Sequence, residues 1–194
     1  MKLDLLRDRM NMILKDSRYL HCLGVEEVSC DLAVIYGCDL EKACIAGLVH
    51  DCAKNINDDN LLEECRAYNI PVSEIEMKSP HLLHAKVGAY HAKVQYEIED
   101  DDILNAITYH TTGRPGMSLL EKIIFTADYI EPYREELPRI YEIRKAAYDN
   151  KLDQAIVMIL ENTLDYLQNT GAVIDTLTKD TYEYYKTELL SSTK

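Results

Sequence analysis

Apolar residues recur every three or four positions along most of this chain, with charged residues between them. In the first segment, residues 3–15, the apolar positions include Leu3, Leu6, Met10 and Leu14. This spacing places the apolar side chains on one face of a helix. No alternation of apolar and polar residues, the pattern of a half-buried strand, continues for more than a few positions. The pattern therefore predicts an all-α protein.

Capping residues and helix breakers divide this pattern into separate helices. Ser17 is predicted to cap a helix that ends at Gly37, and Asp39 and Ser118 are predicted to cap two later helices. The pair Ser79–Pro80 marks another start, because proline is favoured in the first turn of a helix. The predicted helices cover residues 3–15, 17–36, 40–52, 58–68, 80–98, 102–110, 119–130, 138–148, 151–169 and 175–190.

The length and charge of the chain narrow the class of protein. A chain of 194 residues, 47% of them hydrophobic, can bury a substantial core, so one domain spanning residues 1–194 is expected. No apolar run is as long as a membrane span. The first residues contain both acids and bases, which a signal peptide does not. We therefore expect a cytoplasmic protein without a membrane partner. A net charge of −13 disfavours nucleic acid as a partner, but it allows a small phosphorylated substrate beside a metal ion.

The six cysteines all lie in the first third of the chain and form no C-x-x-C pair. This arrangement disfavours both a zinc finger and a disulfide framework. Buried reduced thiols are therefore expected at positions 22, 30, 38, 44, 52 and 65.

Four predicted helices each carry an imidazole or a carboxylate on their apolar side. His21 lies on a stripe of apolar residues, His50–Asp51 ends one apolar helix and His110 ends another. Asp128 lies within the apolar run IIFTADYI, where a carboxylate is costly unless it is paired or bound to metal. A single histidine is more often a hydrogen-bonded core or surface group than a ligand. The four helices together favour a shared metal site, with separate core histidines as the alternative.

Five segments contain either the histidines and aspartates described above or His84, each with its neighbours: RYLH (18–21), HDCAK (50–54), LLHAKVGA (82–89), AITYHTTG (106–113) and FTADYIEPYR (125–134). These segments resemble the YqeK-type branch of the HD-domain superfamily, a group of metal-dependent phosphohydrolases with an all-α fold. The HD dipeptide alone is a weak signal, whereas HTTG and ADYIEP in this order are specific. The resemblance covers a motif core at 18–134 and implies a single-domain helical bundle with a metal site in its core. The C-terminal helices at 138–190 are expected to pack on this core.

The resemblance implies two groups of metal-binding residues. The ligands of the primary metal would be His21, His50, Asp51 and Asp128. His84 and His110 would face the same cavity and either hold a second metal ion or contact phosphate. The implied metal is iron, as one or two ions, and manganese or zinc would also suit imidazole and carboxylate ligands. His81 and His91 match no motif and are expected at the surface or behind the ligands.

The resemblance also implies the reaction, which is hydrolysis of diadenosine tetraphosphate into two ADP, with related dinucleoside polyphosphates as further substrates. Asp51 or Asp128 would accept a proton from the attacking water. Lys54 is the third residue expected to take part in catalysis. The residues expected to contact the substrate are Arg18, His21, Lys54, His84, His110, Thr111 and Arg134.

Each proposed phosphate contact has a structural alternative. The two arginines could form surface salt bridges with nearby acids, and Lys54 could be a solvated lysine at a helix end. The loop Thr111–Gly113 offers hydroxyls and backbone N–H groups to phosphate oxygens. It could equally be an ordinary helix end with Gly113 in the left-handed conformation, and both descriptions can hold together.

Two other functions stay open at this point. Other HD proteins hydrolyse cyclic nucleotides, alarmones or deoxynucleoside triphosphates, and a metal-bound nucleotide sensor would bind ADP without turnover. The complete set of predicted ligands favours catalysis over sensing. On the last predicted helix, Tyr182, Tyr185 and Leu189 could form part of the core, a lid or the surface of a homodimer.

Overall fold

The computed structural model describes residues 3–134 and 137–192. Within these two ranges the regular structure consists of eleven α-helices and a single 3-10 turn at Pro80–Leu83. The helices are α1 Leu3–Ile13, α2 Asp16–Tyr36, α3 Leu40–Val49, α4 Asp58–Ala67, α5 Glu74–Lys78, α6 His84–Gln95, α7 Asp101–Tyr109, α8 Leu119–Ile130, α9 Ile140–Tyr148, α10 Leu152–Thr170 and α11 Thr176–Ser192. The prediction of an all-α fold is confirmed. None of the described helices is long and apolar enough to cross a membrane.

Three predicted helix ends are present in the structure. The side chain of Asp39 accepts a hydrogen bond from the backbone N–H of Lys42, and Ser118 caps α8 in the same way through Glu121. Gly37 ends α2 in the left-handed region with a φ of 71°, where glycine carries no steric penalty. Local polar chemistry therefore sets these boundaries, as the sequence predicts.

Among the boundaries that differ from the prediction, two lie in the helices that carry His21 and precede His50. α2 begins at Asp16, so Ser17 lies inside the helix and is not its cap. The N-cap is Lys15, two residues before Ser17, and its side chain makes no cap hydrogen bond. α3 ends at Val49, three residues earlier than predicted, and the chain continues as a series of turns. This early end places His50 and Asp51 beyond the last turn of α3, where both can face the bundle interior.

The segment between α4 and α7 also differs from the prediction. The five-residue helix α5 is absent from the predicted set, because five residues are too few to show a helical period. Its start is marked instead by a capping box, in which Ser73 and Glu76 exchange side-chain and backbone hydrogen bonds. The single helix predicted from residue 80 is a 3-10 turn followed by α6, which begins at His84.

The main core lies chiefly between α2, α3, α7, α8 and α10. α2 packs against α3 and α8, α7 packs against α3, α6 and α8, and α10 packs against α8, α9 and α11. Their facing side chains are almost fully buried, including Val25, Leu32, Leu48, Ile107 and Ile124. Burying each such side chain contributes about 1.5 to 3 kcal/mol. Because α2, α3, α7 and α8 are fixed by this core, the polar residues that they carry are also fixed.

The structure joins Cys30 on α2 to Cys44 on α3 through a disulfide, with a Cα–Cα distance of 5.4 Å. The expectation of reduced thiols is therefore wrong for this pair. The two helices pack side by side and bring the two Cβ atoms together, which the separation of 14 residues along the chain does not reveal. The free thiols are those of Cys22, Cys38, Cys52 and Cys65.

The C-terminal helix α11 packs on the loop that follows α7. Tyr185 is 1% exposed, and its hydroxyl accepts a hydrogen bond from the backbone N–H of Met117 at 3.0 Å. Gly113 has a φ of 62°, as expected for a left-handed helix end, and a Cβ at this position would lie 2.7 Å from the methyl group of Thr181. Of the alternatives for α11, Tyr185 therefore belongs to the core.

Tyr185→Phe should lower the free energy of unfolding by about 1 to 3 kcal/mol, because the buried N–H of Met117 would lose its acceptor. Tyr184 is the matched control, since its side chain is 38% exposed, and Tyr184→Phe should change stability by less than about 0.5 kcal/mol. Urea denaturation followed by circular dichroism measures both. Equal stability of the two variants would show that the hydrogen bond between Met117 and Tyr185 does not stabilise the fold.

Candidate metal centre

The six predicted metal-site residues come together at one place in the bundle. His21 lies in α2, His50 and Asp51 follow α3, His84 begins α6, His110 follows α7 and Asp128 lies in α8. The Nε2 atoms of His21 and His50 are 3.3 Å apart, and those of His84 and His110 are 3.2 Å apart. Asp128 Oδ1 lies 3.1 Å from His21 Nε2. The predicted convergence of these helices is therefore present, while the roles of the residues as metal ligands stay predictions.

The Asp51 carboxylate divides the histidines into two pairs. Its Oδ1 lies 3.2 Å from His84 Nε2 and 3.3 Å from His110 Nε2. Its Oδ2 lies 3.6 Å from His50 Nε2 and 3.9 Å from His21 Nε2. One carboxylate oxygen thus faces each pair. Two adjacent sets of ligand atoms result, and the Asp51 side chain belongs to both.

Backbone carbonyl groups fix the orientation of three of the imidazoles. The Nδ1 atoms of His50, His84 and His110 lie 2.7, 2.5 and 2.7 Å from the carbonyl oxygens of the residues three positions earlier. A carbonyl oxygen can only accept, so each Nδ1 carries the proton. Each Nε2 then presents a lone pair to the centre of the cluster, which is the form in which a neutral histidine binds a metal ion.

The chemistry of the cluster fits a metal ion. The buried Asp51 Oδ1 makes no hydrogen bond of normal geometry within the described part of the chain, and such an atom is costly to bury. The Nε2 lone pairs of His84 and His110 face each other at 3.2 Å with no proton between them. A shared cation would satisfy the carboxylate oxygen and the two nitrogens together. Imidazole nitrogen and carboxylate oxygen form a donor set suited to first-row transition metals.

Electrostatics keep most of these groups in their metal-binding protonation states. Burial lowers the pKa of His50 to about 3 and also lowers the pKa of His84. Burial opposes the charge of Asp51, but the neighbouring imidazoles outweigh it and hold the pKa of this carboxyl well below its usual range. The pKa of Asp128 is likewise held low against burial, by His21 and by the guanidinium of Arg134.

His21 is held by a carboxylate that is not among the predicted site residues. Glu131 is 1% exposed, and its Oε1 lies 3.0 Å from His21 Nδ1. Burial disfavours the charged ring of His21, but its hydrogen bonds with Asp128 and Glu131 outweigh burial and raise its pKa. A metal ion at Nε2 therefore competes with a proton.

The position of Glu131 is fixed from several directions. Its Oε2 accepts a hydrogen bond from the backbone N–H of Tyr133 at 2.6 Å. Arg144 donates to the backbone carbonyls of Ile130 and Glu131, both at 2.9 Å. Gly24 of α2 leaves room for the carboxylate, because a Cβ there would lie 2.7 Å from Oε2. The only sequence signal for this role is an acid placed directly between an apolar helix and a proline.

Three cationic side chains that the sequence analysis assigns to phosphate contact the cluster, while their role in phosphate binding stays a prediction. Arg18 Nη1 donates to Asp51 Oδ2 and Arg134 Nη2 donates to Asp128 Oδ1, both at 2.8 Å. Lys54 Nζ lies 3.1 Å from His84 Nε2. The arginines do form salt bridges, but with carboxylates of the cluster rather than with acids of an exposed surface.

The other two histidines lie outside the cluster, and the expectation of a surface position or a position behind the ligands holds for His81 but not for His91. His91 is buried and its Nε2 lies 2.6 Å from Glu64 Oε2. His81 is exposed, and its backbone carbonyl is the one that accepts from His84 Nδ1.

A cavity of about 410 Å³ opens beside the cluster. Polar residues of the predicted site form one part of its wall: Lys54, His110, Thr111, Asp128 and Arg134. Apolar and aromatic residues form much of the rest: Phe125, Tyr129, Leu137, Pro138, Ile159 and Tyr166. Its volume lies in the range of about 300 to 1,000 Å³ that small-molecule sites occupy. The cluster is therefore accessible to a small ligand with a charged part and an apolar part.

Comparison with known proteins agrees with this geometry. The HD domain family model matches residues 18–133, which include all six residues of the cluster. The chain belongs to the HD domain family. It is similar to the symmetrical bis(5'-nucleosyl)-tetraphosphatase of Halalkalibacterium halodurans, with 44% identity over 84% of this chain and 87% of the relative. A protein of the same name from Bacillus subtilis is 39% identical over 88% of this chain and 90% of the relative.

A solved structure shares the same HD fold. The crystal structure of a predicted HD superfamily hydrolase involved in NAD metabolism, from Clostridium acetobutylicum, superimposes with a TM-score of 0.92. It is 41% identical to this chain and the match covers 97% of this chain and 98% of that structure. The resemblance seen in the five sequence motifs is confirmed.

Glu131→Gln should weaken metal binding by about tenfold to a hundredfold, because the uncharged amide no longer holds His21 in its ligand form. The matched control is Glu64→Gln, which alters a carboxylate on His91, a histidine outside the cluster. Competition with a chelator, with metal content read by mass spectrometry, measures both affinities. Equal affinities of the two variants would show that Glu131 does not act through His21.

Proposed function

We propose that this chain is a metal-dependent hydrolase that cleaves diadenosine tetraphosphate symmetrically into two ADP. The observation that carries this proposal is the buried cluster of imidazoles and carboxylates beside a ligand-sized cavity. The names of the relatives from H. halodurans and B. subtilis support this reaction. They favour it over hydrolysis of cyclic nucleotides, alarmones or deoxynucleoside triphosphates, and over a sensor without turnover.

The two faces of Asp51 suggest how metal ions would be held. We assign one ion to four residues of the cluster: His21, His50, Asp51 and Asp128. A second ion would lie on the other side of the shared carboxylate, held by Asp51 Oδ1, His84 and His110. Iron is the proposed metal, and the same nitrogen and oxygen ligands also suit manganese and zinc.

The bound metal would lower the pKa of the attacking water and neutralise charge on the phosphoryl oxygens. We assign Asp128 as the acceptor of the water proton, because its side chain is 20% exposed and lines the cavity. The Asp51 side chain is only 3% exposed and lies among four imidazoles, so it is better placed to hold metal than to exchange protons. The water oxygen would remain on one ADP, and the bridging oxygen would leave with the other.

Cations around the cavity would hold the polyphosphate. Arg134 carries a buried Nε without a hydrogen-bond acceptor in the described part of the chain, and a phosphate oxygen would provide one. Lys54 and Thr111 line the same cavity, and Arg18 lies next to the cluster through Asp51. These groups offset the negative charge that a tetraphosphate brings to an acidic protein.

Asp51→Ala should lower the release of ADP from diadenosine tetraphosphate by about a thousandfold or more, because both proposed ion sites lose a ligand. The control is Asp59→Ala, which removes an exposed carboxylate from α4. Chromatography of the products after reconstitution with iron measures the reaction. Release of AMP and ATP by the wild type would contradict symmetrical cleavage, and an active Asp51→Ala would contradict the assigned site.

Arg134→Ala should lower kcat/KM by about tenfold to a hundredfold, since a hydrogen bond to a charged phosphate oxygen is lost. Metal content should stay near the wild-type value if Arg134 acts on phosphate. Arg66→Ala is the control, because this arginine is exposed and lies on α4. A parallel loss of metal from Arg134→Ala would instead show that Arg134 acts by holding Asp128.

A further inference from the structure

A fixed amide lies on the wall of the cavity beside the metal centre. Asn162 of α10 donates from Nδ2 to the carbonyl oxygen of Pro138 at 2.6 Å and to the hydroxyl oxygen of Tyr129 at 3.0 Å. The backbone carbonyl can only accept, so the amide nitrogen must point toward it. Both amide hydrogens are therefore committed, and the side chain cannot rotate by half a turn without losing the bond to Pro138.

These bonds determine what the wall can offer to a ligand. With both hydrogens used, Asn162 presents only an acceptor, its Oδ1. The hydroxyl oxygen of Tyr129 already accepts from Asn162, so its own hydrogen is left to donate. Phe125 and Ile159, which are 4% and 2% exposed, line the cavity beside these groups and offer no hydrogen bond from their side chains. The wall thus carries one acceptor and one donor side by side in apolar surroundings.

An aromatic side chain completes this part of the cavity. Tyr166 lies one helical turn after Asn162 on α10, lines the cavity and is 66% exposed. Residues four positions apart lie on the same face of a helix. An exposed ring beside a polar pair can stack on a flat heterocycle, while the polar pair bonds to the edge of that heterocycle.

We propose that Asn162 and Tyr129 recognise the amino edge of adenine in one nucleotide half of the substrate. Asn162 Oδ1 accepts from the C6 amino group, Tyr129 donates to the adjacent ring nitrogen, and Tyr166 lies against the ring face. This inference rests on the proposed function, because Lys54 and Arg134 on the same cavity wall would hold the phosphates of that nucleotide. The cavity volume of about 410 Å³ suits one such half rather than two.

The chemistry predicts a dependence on one functional group of the base. An acceptor that cannot become a donor gains a hydrogen bond from an amino group and gains nothing from a C–H group in its place. The matched ligands are ADP and purine riboside 5'-diphosphate, which differ only in the C6 amino group. Their affinity ratio isolates the contact with Asn162 from the phosphate contacts that both ligands share.

Calorimetric titration of the metal-loaded protein with both ligands tests the proposal. The wild type should bind ADP about three- to tenfold more tightly than purine riboside 5'-diphosphate, the effect of one neutral hydrogen bond. In Asn162→Ala the ratio should fall to about one. Asn169→Ala, which alters an exposed asparagine on the same helix, should keep the wild-type ratio.

Several results would overturn the proposal. An affinity ratio of one in the wild type would overturn it without any variant. An affinity ratio that is unchanged in Asn162→Ala would also overturn it. If the wild type releases two ADP from diadenosine tetraphosphate but shows either result, only the recognition of adenine by Asn162 is wrong. If the wild type neither cleaves dinucleoside tetraphosphates nor binds ADP, the proposed function and this inference are both wrong.

Discussion

Burial of the Asp51 carboxylate is the constraint on which the rest of this structure depends. An isolated carboxylate in a protein interior is costly, and this one is only 3% exposed. The cost of burying this charge is offset by side chains from different helices. These are the imidazoles of His50, His84 and His110 and the guanidinium of Arg18. The bundle must therefore hold α2, α3, α6 and α7 in one arrangement, and the apolar core between these helices provides that rigidity.

Each imidazole is oriented by a contact at its Nδ1 atom. Its orientation therefore does not depend on what binds at Nε2. Three of the imidazoles bond to the backbone carbonyl of the residue three positions earlier, so their orientation follows from local geometry. His21 lies inside α2, where the carbonyls are already used, and it depends on Glu131 from the end of α8. Arg144 then fixes the backbone of Glu131. A chain of contacts thus connects the C-terminal helices to the candidate metal centre.

Sequence predicts the parts of this account that depend on local chemistry. The helical period, the caps at Asp39 and Ser118 and the HD-type motifs all appear where local rules place them. The disulfide, the role of Glu131 and the Asn162–Tyr129 pair could not be predicted. Each of them joins residues from different helices, and no spacing along the chain encodes such contacts. Ser17 shows the opposite failure, since this favourable cap residue lies inside a helix whose N-cap is two residues earlier.

The most direct test of this account is anomalous diffraction at the iron edge from crystals of the iron-loaded protein. The account predicts an anomalous peak among the Nε2 atoms of His21 and His50, and a second one between Asp51 Oδ1 and the pair His84–His110. Absence of any peak between these side chains, with iron bound elsewhere or not at all, would contradict it.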